Sequence, residues 1–432
     1  MAFIKPFAAT LYRHVSDPDV TGLVAPPYDV IGPELRQKLI EGDPHNVVAI
    51  DLPRGSSDAS VPGNRYESAA AIWREWRSTG VLVNDACDAV YVLEQTWEHA
   101  GRHVRRRAFV AAVELHAFSE GVVLPHERTL PRHVADRLEL TRACSANLSQ
   151  VFSLYSDPAG ETDGIFDAAV RGDVVLTATD ADGVVSRVWA IHDPEAIMAL
   201  QEILADKQLF IADGHHRYTT ALAYRDERRI ADAQAGIEHA ERPDYDFTMM
   251  ALVNMDDPDL IVLPTHRQVR AEGAFDAPSF WRELARYFDV SEPPPGHPAA
   301  ALASATRTTF LVKTADGTTR LASLRSDVDT ATAIPGDASA AWKGLDVTVL
   351  QELVLGPQFG IIPGDMSTLE RLTFVKDAHE ALDVEGADVA FILNATRMDQ
   401  LREIALGGET MPQKSTYFYP KLLSGLIFRS MD

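Results

Sequence analysis

The chain has 432 residues, 46% of them hydrophobic, and a formal net charge of −23. That length exceeds one ordinary core and implies two or three domains, with ample apolar material to fill them. So acidic a surface repels polynucleotides and anionic membranes, and two cysteines without a C-x-x-C pair exclude a thiolate zinc site and a disulfide framework.

Near the start, "VAPPYDVI" (24–31) joins two prolines to Tyr28 and Asp29, a stiff extended segment that can line a pocket or turn a corner. "NVVAIDLP" (46–53) reads as a strand with polar ends. "GNRYESAAAIWREWRSTGVL" predicts an amphipathic helix with Ala69, Ile72, Trp73 and Trp76 on one stripe and its stop at Gly80. Residues 89–97 and 104–115 read as two strands of a hairpin around Gly101. The basic group Arg102, Arg105, Arg106 and Arg107 falls in that strand pattern, where a solvated face or ion pairing explains it better than nucleic acid. A second hairpin over 173–190 turns at "DADG", and a third turns at 315–317 between "TTFLVK" and "TTRLASLR". Hairpins interspersed with helices predict an α+β fold with mixed or antiparallel sheets, not a doubly wound parallel one.

The Pro- and Ala-rich stretch 291–306 reads as a linker or long surface loop. It divides a front region, 1–290, from a C-terminal α/β region, 305–432, whose tail can fold back on the front region. The beginning of the chain lacks a signal-peptide apolar region, and no apolar run approaches the roughly 18 residues of a membrane helix. A cytoplasmic protein with no membrane partner is expected.

"KQLFIADGHHRYTTALAYRDE" reads as strand, tight turn, helix, with Gly214 permitting the turn. A helix start gathers N–H groups and the positive end of the dipole, which suits an anion. Arg217 adds a planar fork matched to phosphate oxygens. His215 and His216 add donors whose charge varies near pH 7. Asp213 makes sense beside phosphate if it holds Mg²⁺. Two other readings stay open. Adjacent histidines project about 100° apart on a helix, whereas zinc prefers them four residues apart. Alternatively Asp213 caps the helix and the histidines bond locally. The stretch matches neither G-x-x-x-x-G-K-[ST] nor G-x-G-x-x-G, which excludes an ordinary P-loop or Rossmann site.

Three more polar clusters stand out. His126, Glu127, Arg128, Thr129, Arg132 and His133 follow a strand-like "VVL" and precede a helix over 134–143, with Asn147 in a loop. Glu127 fits a general base or a plain ion pair. "LVNMDDPDLIVLPTHR" places Asn254, Asp256 and Asp257 after one strand and Thr265, His266 and Arg267 after another; the acids fit Mg²⁺ or a turn. In "MPQKSTYFYPKLLSGLIF", Lys414, Ser415, Thr416 and Lys421 interleave with Tyr417, Phe418 and Tyr419, fitting anion binding or a strand rimmed by lysines.

"VAPPYDVI", "LPHERTL", "FIADGHHRYTTALAY", "LPTHR" and "MPQKSTYFYPKL", in that order and across nearly the whole chain, resemble the signature segments of the bacterial domain-of-unknown-function family DUF1015. The D-G-H-H-R-Y element also resembles that of archaeal free serine kinases, which share the ParB/sulfiredoxin-like fold and its phosphate-holding strand–turn–helix. The resemblance implies an α+β fold containing that element and a phosphotransferase that phosphorylates free L-serine, with pyrophosphate or a nucleotide as donor and Mg²⁺ as cofactor. It implies phosphate and metal roles for Asp213, Gly214, His215, His216 and Arg217, with Asp213 as the metal ligand and both histidines catalytic. The free serine kinases use a glutamate base. Glu127 takes that role here as the only acid in the densest remaining polar cluster. Lys414 is assigned to phosphate or the amino-acid carboxylate, and Arg128, Arg132, Ser415 and Thr416 to the amino acid. Two rivals are a metal-dependent phosphoester hydrolase and a ParB-like nucleotide-binding switch. No nucleic-acid partner is expected, and the oligomeric state is left open.

Overall fold

A computed structural model describes residues 1–13, 17–294 and 300–432. The chain forms two compact units, the first from 1–125, 129–260 and 420–432, the second from 126–128 and 261–419. The fold is α+β with mixed and antiparallel sheets, as the hairpins predict.

The first unit is built on a nine-stranded sheet. Its strands are β1 (Ile4–Lys5), β2 (Val90–His99), β3 (Arg102–Glu114), β4 (Val123–Leu124), β5 (Val151–Tyr155), β6 (Leu176–Thr179), β7 (Val185–Ile191), β8 (Leu209–Asp213) and β9 (Phe247–Asn254). The order is β4-β8-β5-β9-β3-β2-β7-β6, with β1 also paired to β3. Strand β8 runs parallel to β4 and antiparallel to β5, and β9 runs parallel to β5. Strand β9 is buried from Phe247 to Val253. It is central and covered on both faces, so it reads as a continuous apolar run rather than an alternation. The β2–β3 hairpin turns through Ala100 and Gly101, both at positive φ, and β6–β7 turns at Gly183.

Helix α1 (Arg65–Thr79) begins at Asn64, whose side chain accepts from the Tyr66 and Glu67 N–H groups, and ends at left-handed Gly80. It buries Ala69, Trp73 and Trp76 and half-buries Ile72, the expected stripe. Helices α2 (Pro131–Cys144) and α3 (His215–Ala235) flank the site. Tyr218 and Ala221 of α3 join Phe109, Tyr155, Ile211 and Leu252 in the main core, which anchors the first half of that helix.

Two expectations for this unit are corrected. Residues 46–53 are not a strand: Val48–Asp51 is a short helix, and the Asn46 side chain accepts from the Val48 N–H. A short buried apolar run does not declare its type by periodicity. Asn147 is not in a loop but in a two-residue strand, Ala146–Asn147, paired with Arg429–Ser430. In the basic group Arg107 is ion-paired with Glu94 and Asp167, one of the two readings expected for it, while Arg106 is 1% exposed. The tail folds back into this unit and buries Leu422, Leu423, Leu426, Ile427 and Phe428.

The second unit holds β10 (Ile261–Leu263), β11 (His266–Val269), β12 (Phe288–Ser291), β13 (Thr309–Thr314), β14 (Thr319–Leu324), β15 (Leu372–Val375), β16 (Val389–Ile392) and β17 (Tyr417–Tyr419). Six form an antiparallel sheet in the order β12-β14-β13-β16-β11-β15, and β10 pairs with β17. The β13–β14 hairpin turns at Gly317 as expected. The break between units falls after Leu260, not within 291–306. Residues 295–299 of that stretch lie outside the described residues. Both its flanks belong to the second unit, because β12 before it pairs with β14 after it. Pro and Ala content marks a surface loop as readily as a domain linker. Among the described residues no helix is long and apolar enough to cross a membrane.

Candidate functional site

Strand β8 ends in a register shift against β5 between Ile211 and Asp213, a local irregularity of the kind that re-aims a side chain. Gly214 follows at φ 90° and ψ 27°. A Cβ there would stand 2.9 Å from both Nε and Nη2 of Arg217. Glycine therefore permits the left-handed turn and lets the guanidinium lie against the backbone. Among the described residues no side chain caps α3, and its first turn holds no acid, so nothing in that turn offsets the positive helix end.

Asp213 is gripped from two sides. Its Oδ2 accepts from Arg217 Nη2 at 2.8 Å, and its Oδ1 accepts from Lys421 Nζ at 2.5 Å. Burial alone would raise the carboxyl pKa, but Lys421 and Arg217 outweigh it and hold the group well below the usual carboxylate range. Arg217 also donates to the Gln150 carbonyl. Two cations against one carboxylate leave this trio with a net positive charge at the helix start.

Further groups gather around it. His216 Nε2 accepts from the Leu130 N–H at 2.9 Å. The His133 ring centroid lies 5.1 Å away. Burial and Arg132 push the His133 pKa down, against Asp136 and Asp29. Burial pushes Tyr28 up to about 12, against the pull of Arg137 and Arg217. Arg137 stands 4.3 Å from the Tyr28 ring centroid and donates to the Asp51 carbonyl at 2.6 Å, while Asp51 Oδ2 accepts from the Ser424 hydroxyl at 3.1 Å. A cavity of about 50 Å³ is lined by Asp51, Arg137, Asn147, Ser149, Arg217 and Thr220 among others. The structure thus brings the "PPYD" segment, the start of α2, the "DGHHR" turn and the tail together in one unit.

Asp213, Gly214, His215, His216, Arg217 and Arg132 all lie in this first unit, His215 buried and Arg132 exposed in the first turn of α2. Both oxygens of Asp213, the expected metal ligand, accept from cations here. The sequence places Lys421 in a cluster that fits anion binding or a strand rim and leaves Tyr28 and Asp29 open between a pocket wall and a corner, but it does not show that Lys421 meets Asp213, 208 positions away, nor does it single out Asp51 and Arg137.

Glu127, Arg128, Lys414, Ser415 and Thr416 lie in the second unit, where "LPHER", "LPTHR" and "MPQKST" converge. His126 Nε2 and Thr416 Oγ1 are 2.9 Å apart, the His126 carbonyl accepts from the Met411 N–H at 2.8 Å, and Arg128 Nε donates to Thr410 Oγ1 at 3.2 Å. Arg267 is buried, donates to the Thr265 carbonyl and to the Lys414 carbonyl at 3.0 Å, and stands 5.0 Å from the Phe374 ring centroid. Burial lowers its pKa to about 10, against the charge of Glu127. Lys414 sits at φ 57°, a conformation that costs a non-glycine residue about 1–3 kcal/mol and that its surroundings must impose. Ser415 and Thr416, expected to bind substrate, have local partners here. Both are buried, the Ser415 hydroxyl donates to the Pro412 carbonyl, and the Thr416 hydroxyl meets His126.

His266 in this cluster makes acid pH a stress on the second unit. Its Nδ1 accepts from the Leu393 N–H at 3.2 Å, and burial, then Arg267, push its pKa from 6.5 to about 4. The fold favours the neutral ring. That stability is complete above the unfolded value and drains away as the pH falls from 6.5 toward about 4. The expected loss across this window is about 3 kcal/mol. Urea melts at pH 7 and pH 4 should show it, and His266→Gln should flatten the difference. An unaltered difference would remove His266 as its source.

A family model described as a protein of unknown function (DUF1015) matches residues 4–348. No curated protein matches the chain. Among solved structures, a mutant free serine kinase in complex with ADP is 13% identical at a TM-score of 0.34, over 72% of this chain and 87% of that one. A conserved hypothetical protein from Pyrococcus furiosus is 14% identical at 0.32, over 73% and 92%. SbnI with a C-terminal truncation, from Staphylococcus aureus, is 9% identical at 0.34, over 73% and 85%.

Proposed function

The chain belongs to the DUF1015 family, and on that premise we propose that it is a small-molecule phosphotransferase. It transfers a phosphoryl group to the hydroxyl of free L-serine, from pyrophosphate or a nucleotide, in the cytoplasm. The observation that supports this reading most is the Lys421–Asp213–Arg217 trio at the start of α3. Phosphoryl transfer asks chiefly for positioning and for neutralisation of oxygen charge. Two cations held by one carboxylate beside a positive helix end supply both. His215 and His216 stand in the same first turn. Mg²⁺ enters this proposal only as the donor's counter-ion.

Proton acceptance by Glu127 and anion binding by Arg128 and Lys414 rest on the sequence and are tested by substitution alone. Asp29 is an exposed acid of the first unit, close enough to His133 to raise that ring's proton affinity. Glu127→Gln and Asp29→Asn separate the two candidates by which one removes turnover.

Phosphorus NMR tests the function. The protein is given Mg²⁺ and L-serine with pyrophosphate, ADP or ATP in separate tubes. A phosphoserine signal with one donor is the expected result and names that donor. Orthophosphate without dependence on serine would replace the proposal with a phosphoester hydrolase. No change in any tube would overturn it.

A further inference from the structure

Residues 420–423 of the tail are held by side chains of the first unit. The Pro420 carbonyl accepts from Arg106 Nη2 at 2.6 Å, the Lys421 carbonyl from Gln95 Nε2 at 3.3 Å, and the Leu423 carbonyl from Gln150 Nε2 at 3.1 Å. The three donors are 1%, 2% and 3% exposed. Gln95 and Arg106 face each other across the β2–β3 hairpin, in direct register, and are hydrogen-bonded together. Arg106 also stands 4.8 Å from the Phe152 ring centroid. The Lys421 side chain leaves the main chain between two carbonyls that this pair grips, and its Nζ ends on Asp213.

Burying a guanidinium in a packed sheet is unfavourable, and an apolar residue of similar volume often does as well for stability. What the arginine supplies beyond filling space is a fork that reaches a neighbouring side chain and a carbonyl of the tail together. A lysine stem is flexible, and fixing it forfeits rotamer freedom. An anchored main chain narrows where the ammonium can go before that loss is met.

We infer that Arg106 and Gln95 are positioning residues for Lys421. They fix residues 420 and 421 so that the ammonium is delivered to Asp213, at the place where the transferred phosphoryl group is to be neutralised. The catalytic consequence rests on the phosphotransfer reading; the positioning itself does not.

The test measures how fast an amine-acylating reagent labels Lys421 in the full chain, by peptide mass spectrometry, across pH 6 to 9. Lys5, paired with Asp244 at 2.7 Å in the same unit, is the internal control. In Gln95→Met and in Arg106→Lys, Lys421 labelling should rise about tenfold, the scale set by losing one hydrogen bond or weakening an ion pair, while Lys5 stays at its wild-type rate. Arg106→Met should exceed Arg106→Lys, because the ammonium still donates to the Pro420 carbonyl. Once a donor is known, kcat should fall in that same order with little change in the KM for serine. Unchanged Lys421 labelling in the folded variants would overturn the inference. So would a parallel rise at Lys5, the mark of general loosening. If Arg106 variants do not fold, Gln95→Met decides alone. Because labelling needs no turnover, a wild-type protein that uses none of the donors would defeat the proposed function while leaving the positioning result to stand or fall by itself.

Discussion

Alanine in place of Asp213 is expected to cut phosphoryl transfer about a thousandfold, the upper range for loss of one electrostatic stabiliser, while the protein stays folded. The carboxylate touches both Lys421 and Arg217, so its removal unseats two cations and leaves like charges side by side. Breaking a buried ion pair costs about 3–5 kcal/mol, within the roughly 5–15 kcal/mol that holds a domain together. The direction of anion affinity separates this account from a metal-ligand role. With the internal carboxylate gone, both cations are left to an external anion, so pyrophosphate alone should bind as well as before or more tightly, even as kcat collapses. Calorimetric titration with pyrophosphate, beside steady-state rates and a thermal melt, reads all three quantities. Activity within a few fold of wild type would remove Asp213 from the mechanism. Weakened pyrophosphate binding would point to a lost metal. The trio should also keep its charge in mild acid. The carboxyl is held well below its ordinary pKa, so its contribution is complete above that ordinary value and fades only as the pH falls toward the depressed one. Activity lost between pH 7 and 5 must therefore come from another group.

Ending the chain at Tyr419 is expected to prevent the first unit from folding. Leu422, Leu423, Leu426, Ile427 and Phe428 are each 5% exposed or less, and burying such side chains is worth about 1.5–3 kcal/mol apiece. Five of them amount to roughly 7–15 kcal/mol, as large as the whole stability of a typical domain. Arg429, 1% exposed, is lost as well, with its bond to Asp244 at 2.8 Å. Limited proteolysis followed by mass spectrometry should find residues 1–125 and 129–260 cut rapidly in the shortened chain. An unchanged, cooperative melt with native protection there would show that the tail decorates the fold instead of completing it.

Local signals in the sequence were read where local physics decides the structure. Asn64 and Gly80 bracket a helix because a side-chain acceptor and a left-handed turn are one-residue devices. The turns at Gly101, Gly183 and Gly317 were visible for the same reason. The "FIADGHHRY" stretch declared its strand, turn and helix, because an apolar run, a glycine and a helical pattern follow one another directly. What depends on distant chain was hidden. Val48–Asp51 looks like a strand until the bond from the Val48 N–H to the Asn46 side chain is seen. Ser415 and Thr416 look like ligands, and the contacts of their hydroxyls with the Pro412 carbonyl and His126 are not seen in the sequence. The pairing of Lys421 with Asp213 spans 208 positions, and neither period nor spacing reports such a contact. The unit boundary at Leu260 is likewise set by strand pairing across the second sheet, not by composition.

The same contact has a consequence in time. Lys421 is made 208 residues after Asp213. At the usual pace of synthesis, about 5–20 residues per second, the ribosome needs roughly 10–40 s to cover that interval. Throughout it the start of α3 can exist, but its second cation and the buried Leu422–Phe428 segment of the first unit have not been made. The first unit begins in sequence before the second and is finished after it. A stalled or prematurely ended chain therefore carries the "DGHHR" turn with Asp213 and Arg217 but lacks the ammonium that completes the trio.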